Sequence, residues 1–304
     1  MRYVFGPVPS RRLGFSLGVD LTGTKRCSLD CIYCQLGPTR HETVARRPYV
    51  SITEIITELK RTLRGNQRID FITLSGSGEP TLNSKIGPLI KAIRRTTAIP
   101  VAVLTNSTLL AQPRVAQALL AADVVAPSLD AATQAVFRKI NRPHKSLKIA
   151  QIIKALVEFR RQFTGQLWLE ILFVKGVNDS AAEVSHLVRQ VKRIKPDKVH
   201  LNTVVRPPAD VAAKPVSRAF LYRIAKKFCP PAECIAQVRR GRQKKATRVT
   251  AQQIVRMAKR RPVTLQDICT SLGLHPNQAL KTIDQLLRRK RLHSRIFQGK
   301  RYYE

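Results

Sequence analysis

Three cysteines share one short stretch, Cys27-Ser-Leu-Asp-Cys31-Ile-Tyr-Cys34. At the spacing C-x3-C-x2-C their sulfurs can face a common centre, and thiolate sulfur selects iron-sulfur clusters or zinc over hard cations. Structural zinc and a closed four-iron cluster each take four protein ligands. Three ligands leave one metal corner open to bind something else, so the count points to chemistry and not to a structural clamp. A zinc site of the Cys3His type, completed by His41 seven residues after Cys34, is the competing reading.

A second polar set follows apolar runs. Asp70-Phe-Ile-Thr-Leu-Ser75 reads as a buried strand and passes directly into Gly76-Ser-Gly-Glu-Pro80, where glycines let backbone approach a ligand closely. Asp20 ends the strand before the cysteines, and Asn106 follows Val101-Ala-Val-Leu104. Ser128 and Asp130 follow Asp123-Val-Val-Ala126, and Asn202 lies within Val199-His-Leu-Asn-Thr-Val-Val205. Asn and Asp after strands are also common turn formers. Glu170, inside Leu167-Trp-Leu-Glu-Ile-Leu-Phe-Val174, reads as a lumen charge paired to a lysine.

These residues need a scaffold. The apolar runs alternate with helix-like stretches, such as Ile52, Ile55, Ile56, Leu59 and Leu63 behind a capping pattern at Ser51 and Glu54. Such alternation predicts an α/β chain with a parallel sheet. An ordinary eight-unit barrel takes about 250 residues. The pattern here spans only residues 19–205, which fits a partial TIM-like barrel, (β/α)6, of about six strands. Ligands of parallel barrels gather where the loops after the strands converge, and the polar residues stand there.

The cysteine spacing, with the aromatic Tyr33 just before the last ligand, resembles the signature of the radical S-adenosylmethionine (SAM) superfamily. A partial barrel is also that family's core fold. Ser77-Gly78-Glu79-Pro80 looks like its Gly-Gly-Glu-Pro motif with Ser77 in place of the first glycine. The resemblance implies a [4Fe-4S] cluster on Cys27, Cys31 and Cys34, whose fourth iron is chelated by the amino and carboxylate groups of SAM. Residues 77–80 would bind the SAM amino group, largely through main-chain carbonyls. Ser128 and Asp130 would meet ribose or carboxylate, and Asn106 with the backbone of residues 202–204 would flank ribose and adenine. In that family SAM is cleaved to methionine and a 5'-deoxyadenosyl radical, which takes a hydrogen atom from the substrate. A reductant such as ferredoxin or flavodoxin is implied, while the protein orients and excludes side reactions.

Composition raises a different question. Lys and Arg total 55 against 19 Asp and Glu, a net charge of +36. An excess of this size implies an anionic partner. It is densest in residues 238–304, with 18 basic and 3 acidic side chains. That tail follows a Cys229-Pro-Pro231 break and the basic run Arg239-Arg-Gly-Arg-Gln-Lys-Lys245. Three helices are expected in it. The first contains Ile254 to Lys259, the second is capped by Thr264-Leu-Gln-Asp267 and reaches Leu272-Gly273, and the third runs from Pro276 to Arg289. Arg295-Ile-Phe-Gln-Gly-Lys-Arg-Tyr-Tyr303 reads as a hairpin turning near Gln298-Gly299 and resembles the wing of a winged helix-turn-helix domain. The expected organisation is therefore a radical SAM core over 1–215, a helical basic linker over 216–245 and a winged helix-like domain over 246–304. On duplex nucleic acid the third helix would place Asn277, Gln278 and Lys281 near bases and residues 288–291 on phosphates.

Phe5-Gly-Pro-Val-Pro-Ser-Arg-Arg-Leu13, the Gly18-Val-Asp20 strand and the Cys34-Gln-Leu-Gly-Pro38 exit look like a branch of iron-sulfur oxidoreductases related to wyosine-synthase-like proteins. Wyosine synthases proper carry another cluster from upstream cysteines, and no cysteine precedes Cys27 here. The expected function is a radical SAM Fe-S enzyme that modifies RNA, favoured over DNA, or another nucleic-acid-associated substrate. Arg11, Arg12 and Arg206 are expected anion contacts at the barrel mouth. Activation or modification of a protein substrate, and a DNA-binding regulator with a sensory cluster, are the alternatives. Residues 1–16 hold no long apolar segment, and no stretch approaches the roughly twenty apolar residues that span a bilayer. A cytoplasmic protein is expected. Six cysteines, half of them in one motif, argue against a disulfide framework, leaving Cys229, Cys234 and Cys269 as packed or free thiols.

Overall fold

The computed structural model describes residues 3–65, 67–236 and 250–304. Alternating elements run β1 (Val4–Ser10), β2 (Gly14–Val19), α1 (Ile52–Leu63), β3 (Phe71–Leu74), α2 (Ile86–Thr96), β4 (Val101–Thr105), α3 (Pro113–Leu119), β5 (Val124–Pro127), α4 (Gln134–Asn141), α5 (Ile149–Gln162), β6 (Gln166–Phe173), α6 (Ala181–Ile194), β7 (Lys198–Thr203), α7 (Arg218–Ala225) and β8 (Glu233–Cys234). After them come α8 (Ala251–Arg260), α9 (Leu265–Leu272), α10 (Pro276–Arg288), β9 (Ser294–Phe297) and β10 (Lys300–Tyr303).

Strands β1 to β8 form one sheet in chain order. Every pair from β2 to β8 is parallel, which gives the expected open half-barrel with β2 to β7 as its six main strands. Two edge strands were not expected. β1 runs antiparallel to β2, and Gly6, Pro7 and Pro9 make its sequence read as a turn, although an edge strand tolerates proline. β8 adds two residues beside β7. Thus of the stretch expected as a helical linker, Arg218–Ala225 is helical and Glu233–Cys234 joins the sheet, while the basic run Arg239 to Lys245 lies outside the described residues.

Period-two alternation sorts the strands into two faces. Leu17, Ile72, Leu74, Val101, Val103, Val125, Leu169 and Ile171 point outward into the main core, against Ile55 and Leu59 of α1, Ile90 and Ile93 of α2 and Leu156 of α5. Helix α1 begins where Ser51 Oγ accepts from the Glu54 N–H at 3.3 Å and turns Ile55 and Leu59 inward. Residues one step out of phase face the lumen. At its floor Ala102, Val124, Ala126 and Trp168 pack with Leu13 into a small apolar plug. Above it the inward side chains turn polar, with Ser16 hydrogen-bonded to Thr73 and Asn202 bonded to Glu170. Glu170 also pairs with Arg12, so the counter-ion expected to be lysine is an arginine from the turn between β1 and β2. A guanidinium fork suits a carboxylate that is already hydrogen-bonded.

The C-terminal elements have their own apolar cluster, with Ile254, Ile268, Ala279, Ile283 and Leu286 at its centre. Thr264 and Asp267 cap α9 reciprocally, Gly273 ends it at φ +63°, and Pro276 opens α10. Gln298 and Gly299 turn the hairpin with φ of +49° and +69°, as a two-residue type I' loop requires. These elements contact both sides of the barrel opening. Val8 of β1 packs against their cluster, while Tyr302 Oη donates to Val205 O at 2.8 Å and Gln298 Nε2 to Val204 O at 3.0 Å.

Leu169 is fully buried on the outer face of β6. Leu169→Ala is expected to lower unfolding free energy by about 2–5 kcal/mol, read from the midpoint of urea denaturation.

Candidate active site

Parallel register brings the strand ends to a common rim, because Val19 pairs with Leu74, Thr105 with Pro127 and Phe173 with Thr203. Asp20, Gly76, Asn106 and Ser128 each leave that rim one or two residues later. The cysteine loop lies across it. Its backbone is bound to the end of α4, through Asp30 N to Asn141 O, Ile32 N to Ile140 O and His144 N to Ser28 O, each at 3.0 Å. The Thr39 N–H donates to Asp30 Oδ1 at 2.5 Å and Thr43 N to Cys27 O at 2.9 Å.

Each of the three sulfurs accepts from a side-chain nitrogen. Asn106 Nδ2 lies 3.4 Å from Cys27 Sγ, Asn141 Nδ2 3.3 Å from Cys31 Sγ and Lys25 Nζ 3.4 Å from Cys34 Sγ. Burial, assisted by Glu79, pushes the Cys27 thiol up to about 12, and burial with Cys27 and Asp130 holds Cys31 well above its ordinary value. An isolated thiolate is disfavoured there, and a metal centre would supply the positive charge the sulfurs lack. Hydrogen bonds to ligand sulfur are a principal means of tuning a cluster. Asn141 and Lys25 were not singled out from the sequence. The available signals were a lysine two residues before Cys27 and an asparagine at a helix end before Arg142-Pro143.

The segment from Gly76 to Pro80 is pressed against the cysteine loop. A Cβ on Gly78 would lie 1.8 Å from Arg26 O, and Glu79 N donates to that same carbonyl at 2.9 Å. Gly76 has φ +147°, and a Cβ there would meet the Asp20 carboxyl carbon at 2.7 Å. Glu79 is 2% exposed and its carboxylate accepts from Thr81 N (3.0 Å), Thr81 Oγ1 (2.6 Å), Thr105 Oγ1 (2.7 Å) and Asn106 N (2.7 Å). Burial raises its pKa against these four donors. Glu79 thus ties the glycine loop to the end of β4, leaving main-chain groups of the loop to meet a ligand. Ser77, the departure from the family motif, donates its hydroxyl to Asp20 Oδ2 at 2.5 Å.

Other expected contacts are committed within the protein. Asp130 is buried, accepting from Tyr33 Oη, from Asn141 Nδ2 at 2.9 Å and from Leu172 N at 2.9 Å, and burial raises its pKa. Asn202 Oδ1 accepts from Arg11 Nη1 at 2.6 Å, while its amide donates to Glu170 at 2.8 Å. Ser128 joins Tyr33, Asn106, Asp130 and Asn141 around a small cavity of about 40 Å³ beside the cysteines. His41 is exposed. Cys229, Cys234 and Cys269 are free thiols outside this site.

Asp20 links the site to the C-terminal helices. Its Oδ1 accepts from Thr22 N (3.0 Å), Thr22 Oγ1 (3.1 Å) and Gly23 N (3.2 Å). Its Oδ2 takes Ser77 and, at 3.0 Å, Arg260 Nη1 of α8, whose guanidinium stacks 4.1 Å from the Phe5 ring centroid.

Comparison with known proteins identifies the family and the fold. The sequence profile of the Radical SAM superfamily matches residues 21–188. A Helicobacter pylori (strain J99) relative, described as a UPF0026 protein, is 33% identical over 294 residues, covering 95% of this chain and 93% of its own. A Brachyspira hyodysenteriae protein described as GTPase Obg is 37% identical over 304 residues, 97% of this chain, yet the chain spans only 44% of that relative's length. A probable dual-specificity RNA methyltransferase RlmN of Akkermansia muciniphila is 28% identical over 222 residues, 67% of this chain and 58% of its own. Among solved structures, a radical SAM methyltransferase from Sphaerobacter thermophilus superposes with a TM-score of 0.51 at 18% identity, over 74% of this chain and 67% of that one. At that identity the likeness shows the shared fold.

The superfamily works with a [4Fe-4S] cluster and SAM, and the residues present fit that pair. Three half-buried cysteines stand in one loop, each sulfur with a side-chain N–H donor, and the glycine loop beside them has its side-chain space closed and its backbone presented. His41, the fourth ligand that the Cys3His zinc reading requires, is exposed. Gly78→Ala must displace the residue preceding Cys27. It is expected to cost about 1–3 kcal/mol and to lower the iron retained after anaerobic reconstitution. Gly65→Ala, beyond the end of α1, where the added carbon comes no nearer than 3.3 Å to Thr62 O, is expected to retain it.

Proposed function

The chain belongs to the radical SAM superfamily, and we propose that it reductively cleaves SAM and uses the resulting radical to modify RNA. The observation that carries this reading is the junction of the two loops, where Gly78 lies against Arg26 and each cysteine sulfur accepts from a side-chain N–H. Cys27, Cys31 and Cys34 hold the cluster, Asn106, Asn141 and Lys25 donate to their sulfurs, and the backbone of residues 76–80 receives the SAM amino group. Ser128 and Asn106 flank the nucleoside side of the site; Asp130 and Asn202 act one layer behind, by orienting Tyr33, Asn141, Arg11 and Glu170. When bound, the pair supplies an electron and a scissile carbon–sulfur bond, giving methionine and a 5'-deoxyadenosyl radical. The chain's own residues bind, orient and keep water from that centre. A small electron carrier of the ferredoxin or flavodoxin type is the proposed reductant.

RNA is favoured by three things. The chain carries a net charge of +36. Three helices followed by a hairpin have the order of a winged helix-turn-helix, assigned here to residues 246–304, with Asn277, Gln278, Lys281 and Arg291 exposed. One relative is described as an RNA methyltransferase. The hairpin tip is bonded to the barrel through Gln298, so the exposed face of α10 is the surface offered to a nucleic acid. We further propose, from the resemblance of the N-terminal motifs, a relation to the wyosine-synthase-like branch, although no cysteine precedes Cys27 in this sequence.

Two outcomes test this function. Anaerobically reconstituted protein with SAM and a strong reductant is expected to release 5'-deoxyadenosine, and Cys31→Ala to release none above background; equal yields would remove the cleavage reading. RNA affinity, measured by filter binding, is expected to fall with log salt at about 0.7 per phosphate contact. Arg291→Ala should reduce that slope by about 1.

A further inference from the structure

Five guanidinium groups converge on one interior space. A cavity of about 200 Å³ in the barrel lumen is lined by Arg11, Arg12, Arg206, Arg260 and Arg261, and Gly76 lies on its wall. The first two come from the turn between β1 and β2, Arg206 from the segment after β7, and the last two from the end of α8. The site therefore exists only where the barrel and the C-terminal helices meet.

The carboxylates available do not balance the set. Arg12 has Glu170 and Arg260 has Asp20. Asp267 alone faces the remaining three, lying 3.8 Å from Arg206, and it also caps α9 by accepting from Thr264 N at 3.1 Å. Arg11 bonds to the neutral amide of Asn202. Glu58 and Arg256, which also act on Arg260, are of opposite sign. Arg12 Nε, Arg206 Nε and Arg261 Nη2 are buried without a hydrogen-bond partner. Burial, followed by repulsion from Arg206, pulls the guanidinium groups of Arg11 and Arg261 down to about 9. Buried charge with open donors is costly unless something pairs with it.

We infer that this cavity binds a phosphate group of the substrate, held by Arg11, Arg206 and Arg261 beneath the Gly76 loop. Forked guanidinium donors match phosphate oxygens bidentately, and two uncompensated positive charges suit a group carrying about −1 to −2. The space is smaller than the 300–1,000 Å³ or so of a typical whole-ligand pocket, so it takes the phosphate and what is bonded to it. Its position against Gly76 would hold that group beside the reacting centre. That the phosphate belongs to substrate rests on the function proposed above; that the cavity binds phosphate does not.

Binding of inorganic phosphate to the full chain, by calorimetry and thermal denaturation against sodium chloride of equal ionic strength, tests this without cluster or SAM. Saturable binding is expected, with Arg206→Met and Arg261→Met each weakening it at least tenfold and Arg94→Met, at an exposed helix position, leaving it unchanged. Removing the Arg261 guanidinium, whose Nη2 has no hydrogen-bond partner, should not lower the melting midpoint in chloride, which separates a binding role from a merely structural one. Absence of stabilisation beyond chloride, or an equal phosphate response in both methionine variants at lowered midpoints, would overturn the assignment. Displacement of phosphate by a nucleoside 5'-monophosphate identifies a monoester, and by a dinucleotide a diester; either supports the site. A chain that binds phosphate but releases no 5'-deoxyadenosine would sink the radical function and leave the anion site standing.

Discussion

One buried carboxylate organises the catalytic end of the molecule. Asp20 directly follows β2, and its two oxygens accept from the loop leading to the cysteines, from Ser77 of the glycine loop and from Arg260 of the C-terminal helices. Three segments distant in sequence are thereby referred to a single pair of atoms. A charged acceptor with this many donors is strong because it is withheld from water, and for the same reason it cannot lose a partner cheaply. The absence of a side chain at Gly76 follows from it, since a Cβ there would occupy the space of the Asp20 carboxyl group.

The lumen is divided by the chemistry of its walls. Beside the cysteines the donors are two amides and one ammonium, and the acidic groups, Glu79 and Asp130, are buried and fully engaged. Across the lumen, toward β1 and the end of β7, the wall is a set of guanidinium groups with too few carboxylates. A polar interior of this kind adds little to folding stability, which comes from the outer face, where Leu74, Val103, Val125 and Leu169 pack under the helices. The two faces of one set of strands thus carry separate burdens, stability outside and chemistry inside.

The C-terminal elements do more than append charge. Their apolar cluster is their own, but the ends of α8 and α9 and the tip of the hairpin are directed at the barrel, while α10 keeps an exposed polar face. Arg260 and Arg261 enter the lumen from this direction. No described helix is long and apolar enough to cross a membrane, and the basic surface faces solvent.

Much of the fold was legible in the chain. Apolar runs of strand length separated by amphipathic stretches gave the parallel sheet, and the cysteine spacing with the residues from Gly76 to Pro80 pointed to the candidate site, because these are local patterns that a short window contains. β1 was hidden by its glycine and prolines, which an edge position tolerates. The lysine partner assumed for Glu170 became Arg12, since lumen neighbours are set by strand register and not by sequence distance. Asn141 and Lys25 as sulfur donors, the engagement of Asp130 and Asn202 within the protein, and the gathering of five arginines were decided by tertiary structure alone. Residue type and spacing determine which atoms can do chemistry; which of them are already bonded to a neighbour depends on contacts between residues up to 240 positions apart, and only packing brings those together.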